Sequence, residues 1–192
     1  MNRNFIYLAG LCISLFFATS CGSSGYTPDA EGFAKIQNDL QSKFGSDAYY
    51  TQVNVVNVTG NRPGSGIAIN LTVTKDPASL KMEEWAYSSV GGWKQSAEVT
   101  VEVPEGTDAK EFMYQLTGTL DLKKIAELVE QSAKKLEEEK QIKGAVLDML
   151  TLNTGNRPAS SMTIGIFMQP ENGGTDFRFR YDLDGNLTSF DY

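Results

Sequence analysis

The apolar positions of this chain follow two periods. From Phe33 the spacing is helical: Phe33, Ile36, Leu40 and Phe44 recur on one face, and Gly45 ends the run. Thr27 can cap this helix, Pro28 suits its first position, and Asp29 and Glu31 suit its positive end. The period then changes to two. Residues 49–58 are rich in β-branched and aromatic side chains. In residues 67–74, Ile67, Ile69, Leu71 and Val73 face one way and Ala68, Asn70, Thr72 and Thr74 the other. Residues 82–88 and 93–103 read as strands joined around Gly91-Gly92, the second alternating Ala97, Val99, Val101 and Val103 with Glu98, Thr100 and Glu102. One buried and one wet face describe an antiparallel sheet covered on one side.

The same order then recurs. Pro104-Glu105-Gly106 marks a boundary, and residues 112–116 fit either a short helix or a strand. Asp121 caps a long helix with Leu122, Ile125, Val129, Ala133 and Leu136 on one stripe, its Lys and Glu residues forming a solvated face with i,i+4 pairs. Residues 145–152, 160–169, 176–182 and 187–192 give four more strands, the last two joined by an Asp184-Gly185 turn. Thr59-Gly60-Asn61-Arg62-Pro63 reappears as Thr154-Gly155-Asn156-Arg157-Pro158, 95 residues on and without a gap. Both copies lie between the first and second strands of their groups. The expected fold is therefore α+β: two tandem αββββ modules, residues 27–104 and 105–192, with antiparallel sheets covered on one face by helices.

The first 20 residues read differently. Arg3 is followed by an apolar core containing Phe5, Ile6, Leu8, Leu11, Ile13, Leu15, Phe16 and Phe17, then by Ala18-Thr19-Ser20-Cys21. A basic start, a short apolar core and small residues before a cut describe a secretory signal peptide over residues 1–20. The core is shorter than the ~20 apolar residues of a membrane span. Thr19, Ser20 and Cys21 resemble the lipobox of bacterial lipoproteins, although Ala18 stands where Leu is usual. That resemblance implies acylation of Cys21 and a lipid anchor, with residues 21–26 as a Gly/Ser tether. Gly22, not Asp, follows the cysteine, which in such lipoproteins implies the outer membrane. The lack of an acidic signal in Gly22-Ser23-Ser24-Gly25 favours its periplasmic face over surface display.

Composition narrows the chemistry. The formal charge is −7, one unit more negative once Arg3 leaves, which disfavours nucleic acid and anionic lipid headgroups as partners. Cys12 departs with the signal and Cys21 is acylated, so the fold rests on its hydrophobic core and not on a disulfide. The chain contains no His, which excludes Ser-His-Asp and Cys-His nucleophiles and His-based metal sites. A strand–loop–helix phosphate cradle is also missing, because Gly60 and Gly64 fall between strands. Asp182-Leu183-Asp184-Gly185-Asn186 resembles a fragment of a calcium loop, but the chain stops before the Glu that a full loop needs, and a hairpin turn is the expectation. No cofactor and no enzyme activity are expected. A hydrolase built on two carboxylates is the one catalytic scheme left open.

The candidate binding residues are those of the twin loops. Gly60 and Gly155 suit positive φ, and Asn61 and Asn156 can bond their own turns. A turn does not need a guanidinium, so Arg62 and Arg157 either pack over the sheet and pair locally, or receive a carboxylate ligand. Tyr49, Tyr50, Trp85, Tyr87, Trp93, Phe177, Phe179, Tyr181 and Phe190 concentrate on strands and are expected mostly in the core under the helices. The element order is similar to that of tandem helix-and-four-strand modules in secreted β-lactamase inhibitor proteins and in PepSY-type domains, without any residue motif of either. The functional expectation is a lipid-anchored, non-enzymatic envelope protein that binds a protein or peptide through its open sheet face. The alternative is a carbohydrate or small-ligand binder with an aromatic-lined cleft.

Overall fold

The computed structural model describes residues 25–58 and 66–192. Cys21, Asn61 and Arg62, with the whole signal segment, lie outside the described residues. Helix α1 spans Ala30–Phe44, later in its start than the sequence suggests, because Asp29 and not Thr27 is the cap. The Asp29 carboxylate accepts the Gly32 N–H at 2.8 Å, and the Thr27 hydroxyl donates to the same carboxylate at 2.8 Å. Gly32 is needed there: a Cβ would fall 2.0 Å from the Thr27 carbonyl oxygen. Helix α2 spans Leu122–Lys140 and is capped by Asp121, whose side chain accepts the Lys123 N–H.

The strands are β1 (Tyr49–Val58), β2 (Gly66–Thr74), β3 (Lys81–Ser88), β4 (Gly92–Thr100), β5 (Ala145–Asn153), β6 (Ile164–Pro170), β7 (Phe177–Tyr181) and β8 (Leu187–Asp191). They form one antiparallel sheet in the order β4-β3-β2-β1-β5-β6-β7-β8. The fold is thus mixed α+β and mostly sheet. Each group of four strands is a meander, and the first strands of both groups pair at the centre, from Gln52 opposite Asn153 to Val56 opposite Met149. Two strands are shorter than their alternation suggests. Residues 101–103 leave the sheet after Thr100, and a 3₁₀ turn at Ala159–Ser161 delays the start of β6.

Register assigns the faces. Val53, Val55, Ile67, Ile69, Leu71, Leu150, Leu152, Ile164, Ile166 and Phe179 point to one side, and all are buried with Phe33, Ile36 and Leu40 of α1 and Leu122, Ile125 and Leu136 of α2. Both helices therefore cover the same face. Gln37, buried in α1, holds the second helix in place: its Nε2 donates to the Leu116 carbonyl at 2.8 Å, and its Oε1 accepts the Leu122 N–H at 3.2 Å. Leaving either backbone group unpaired there would cost about 1–3 kcal/mol.

The segment between the two strand groups resolves the ambiguity at 112–116. Ala109–Phe112 is a single 3₁₀ turn, and Tyr114 then pairs with Tyr50 in an isolated antiparallel bridge. The Tyr114 hydroxyl donates to the buried Leu152 carbonyl at 3.0 Å. Before the bridge, Met82, Ala109 and Met113 form a small second core with Leu80, Val99 and Val101. That patch closes only one end of the face opposite the helices.

Candidate functional site

Among the described residues, no helix lies on most of the second sheet face. Register places on it a row of amides and hydroxyls across the central strands: Gln52 beside Thr72 and Asn153, then Asn54 beside Asn70 and Thr151. The next row is apolar, with Val56 beside Ala68 and Met149, and Phe167 beyond Met149. On β7, Arg178 lies over the Phe167 ring at 5.0 Å, while Arg180 pairs with Asp191 at 3.1 Å. Asn54 Oδ1 is shielded yet has no hydrogen-bond partner among the described residues. Buried polar atoms are rarely left so, and this acceptor lies at the middle of the uncovered face. A trough of about 810 Å³ runs along its closed end, lined by Gln52, Thr72, Glu84, Glu102, Phe112 and Asn156.

The second twin loop forms part of that trough. Thr154 is fully buried and its N–H donates to Thr51 at 3.0 Å. Gly155 takes φ +57°, and its N–H donates to Asn153 Oδ1 at 2.7 Å. Asn153, not Asn156, therefore ties the turn and leaves the Asn156 amide exposed on the trough wall. Arg157 is also exposed, and its guanidinium makes no ion pair or hydrogen bond among the described residues. The strand ends that flank the first loop, Val58 and Gly66, pair with each other about seven residues up β1, roughly 23 Å from Thr51 at a strand's rise. The antiparallel β1–β5 junction thus puts Val58 and Gly66 at the opposite end of the sheet from Thr154 and Gly155.

The helix-covered face has an open corner. Phe177, Phe179 and Tyr181 of β7 are buried, but Trp85 and Tyr87 of β3 and Trp93 of β4 are only half-buried, because α1 does not seal them. Tyr26 and Phe44 complete a cluster: Tyr26 to Tyr87 is 4.6 Å between ring centres, Tyr87 to Trp93 5.3 Å, and Phe44 to Trp85 5.5 Å. Lys43 Nζ stands 3.9 Å above the Trp85 ring. On one side of Lys43 is a cleft of about 390 Å³ with Phe44, Val73 and Trp85 in its walls, and on the other a cleft of about 400 Å³ with Tyr26, Asp39, Ser42, Tyr87 and Trp93. The Tyr26 hydroxyl donates to Asp39 at 2.8 Å, and burial followed by that bond holds its phenol neutral well above the ordinary range. Of the rings expected mostly in the core, Trp85, Tyr87 and Trp93 are left at its edge, and their type fits the place: Trp and Tyr carry a polar atom that suits a wet edge, where Phe would suit a sealed one.

Other candidates are tied up locally. The Asp182 carboxylate accepts from the Asp184 and Asn186 backbones and from the Asn186 side chain, so it serves its own turn. Asp148, at a bulge in β5, has its carboxyl pushed up by burial and then by Asp176. Among the described residues no group of three or more His, Cys, Asp or Glu is placed to hold a metal, and no helix is long and apolar enough to cross a membrane. Compared with protein-family models, curated proteins and solved structures, the chain matches none.

Proposed function

We propose that this chain is a lipid-anchored, non-enzymatic binding protein of the cell envelope that takes a protein or peptide partner across the uncovered sheet face. The single observation that carries this reading is an eight-stranded sheet with both helices on one side, which leaves a broad face with an apolar row, an amide row and an unpaired Asn54 acceptor. A partner laid there would cover Val56, Met149 and Phe167 and could donate a hydrogen bond to Asn54. The anchor rests on the Cys21 motif, and the outer membrane on Gly22. The lack of His removes the His-dependent acid–base and nucleophilic schemes.

The same reading treats the chain as two αββββ modules descended from one by internal duplication. Its support is the gap-free 95-residue repeat together with a strand order that reads outward as one to four on each side of the β1–β5 junction. That arrangement keeps the likeness in element order to the β-lactamase-inhibitor and PepSY-type modules at the level of architecture.

The test is a pair of charges on the face. Gln52→Glu with Asn70→Glu alters two solvent-side positions and is expected to weaken capture of the native partner from envelope membranes by about tenfold or more, with the melting temperature unchanged. Undiminished capture at that melting temperature would remove the face from the account. Separately, Cys21→Ser is expected to move the protein to the soluble fraction, and continued firm membrane association would contradict the lipid anchor.

A further inference from the structure

We propose that the two clefts flanking Lys43 are one groove that binds a neutral saccharide chain, with Tyr87 and Trp93 as the stacking platform of one half and Trp85 in the wall of the other. A pyranose ring has a C–H face that lies against a flat aromatic ring and a rim of hydroxyls that needs donors and acceptors close by. The groove alternates the two. Tyr87, Trp93 and Tyr26 supply rings in one cleft, and Asp39 and Ser42 supply polar atoms beside them. Phe44 and Trp85 supply rings in the other, and Thr74, Asp76 and Glu83 the polar atoms. Asp39 Oδ1 and Ser42 Oγ make no hydrogen bond within the described residues, so both are available to a ligand hydroxyl.

Size and charge narrow the occupant. Each cleft falls within the roughly 300–1,000 Å³ of small-molecule sites, and Lys43 lines both, so a linear chain passing over it would fill the two in series. The groove opens beside the C-terminal end of α1, where the helix presents carbonyls and partial negative charge, which disfavours an anion. In the first cleft Lys43, Lys75 and Lys81 are balanced by Asp76, Glu83 and Glu98, so neither an anion nor a cation finds a net opposite charge. Trp and Tyr, with their polar atoms, fit a ligand that is half apolar and half hydroxyl better than a purely apolar one.

The matching corner of the second strand group supports the choice. There Phe177 and Phe179 are buried, Tyr181 is tied to Ser132, and Lys140 caps Tyr192 at 3.8 Å as Lys43 caps Trp85. The lysine-over-ring contact is therefore common to both corners. The second corner has an open cleft of about 290 Å³, but charged and polar side chains of α2 line it with Tyr181 and Leu187, whereas the clefts of the first corner are lined by Trp85 and Trp93.

Trp85 and Trp93 are the only tryptophans in the chain, so intrinsic emission reports on this groove. The experiment titrates the full mature chain with cellohexaose, chitohexaose and maltohexaose in turn. The expected result is a saturable emission change with at least one of them, weakened about tenfold or more by Tyr87→Ala and retained in Trp93→Phe. Ser42→Phe places a bulky ring at an exposed rim position without adding a tryptophan, leaves the core untouched and is expected to block the response. Asn70→Glu, on the opposite face, is expected to leave it unchanged, which separates this groove from the partner-binding face. Failure of all three sugars to give a saturable change would overturn the proposal. So would a response that persists in Ser42→Phe.

Discussion

The two outer corners of the sheet are built alike and finished differently. Each has a third and a fourth strand carrying aromatic residues on the helix-covered face, and each has a lysine from the last turn of its helix over an outer ring. In the second corner the rings of β7 are buried, Phe179 stacks on Phe190 at 4.6 Å and 12°, and the buried Ser132 and Tyr181 hydroxyls lie 2.7 Å apart. In the first, Trp85, Tyr87 and Trp93 stay half-exposed around two clefts. Helix length contributes to the difference: α2 has 19 residues and α1 has 15. Composition contributes too, since Phe needs no polar partner and can be sealed, whereas Trp and Tyr are satisfied at a wet edge. One architecture thus yields a corner whose third-strand rings are sealed, with only Phe190 and Tyr192 of its outer edge reaching solvent, and a corner whose third-strand rings stay half-exposed.

The largest expected effect breaks the closed corner. Phe179→Ala should cost about 3–5 kcal/mol, as for other fully buried aromatic truncations, while Trp93→Ala should cost less than about 2 kcal/mol. Urea unfolding of both variants measures the contrast, and equal costs would mean that Trp93 is core and the corners are not different in kind. Next in size is the joint between the halves. Gln37→Ala strands the Leu116 carbonyl and the Leu122 N–H and should cost about 2–3 kcal/mol by the same measurement. A loss below about 0.5 kcal/mol would show that these groups find other partners.

A finer contrast compares the two hydroxyls that tie each corner to its helix. Tyr181→Phe loses its bond to Ser132 in the buried corner and should cost about 1 kcal/mol. Tyr26→Phe loses a bond to the half-exposed Asp39, which water can replace in part, and should cost about half as much. The reverse order would undo the assignment of closed and open corners. The smallest effect is acid sensitivity at the start of α1. The Gly32 N–H, then the Thr27 hydroxyl, lower the pKa of Asp29 in the folded state. Its contribution is therefore fully present above the ordinary carboxylate value and is lost as pH falls through the lower folded value. Asp29→Asn keeps the cap and should flatten the acid limb of a stability–pH curve by a few tenths of a kcal/mol. An unchanged limb would remove Asp29 from it.

Much of this was legible in the residues. The alternation of Ile67, Ile69, Leu71 and Val73, the stripe from Leu122 to Leu136 and the Asp121 cap gave the elements, because each depends on local spacing. The join was not legible. Nothing in residues 49–58 or 145–152 says that the first strands pair antiparallel with each other, and that pairing alone puts the end of β1 and the end of β5 at opposite ends of the sheet. Asp29 displaced Thr27 as the cap because the choice turns on which side chain reaches the Gly32 N–H, a matter of geometry that composition leaves open. Asn156 and Arg157 were visible as an unusual pair. Their exposure at the trough, with the turn held by Asn153 instead, required the fold.

The uncovered face remains the centre of the functional account, and site-specific photo-crosslinking tests it most directly. A photoreactive residue at Asn70, exposed on that face, is to be compared in native envelopes with one at Lys124, exposed on α2 behind the sheet. The account predicts a discrete protein or peptide adduct from Asn70 that is lost with Gln52→Glu, and none from Lys124. Adducts from Lys124 alone, or from both positions alike, would contradict it.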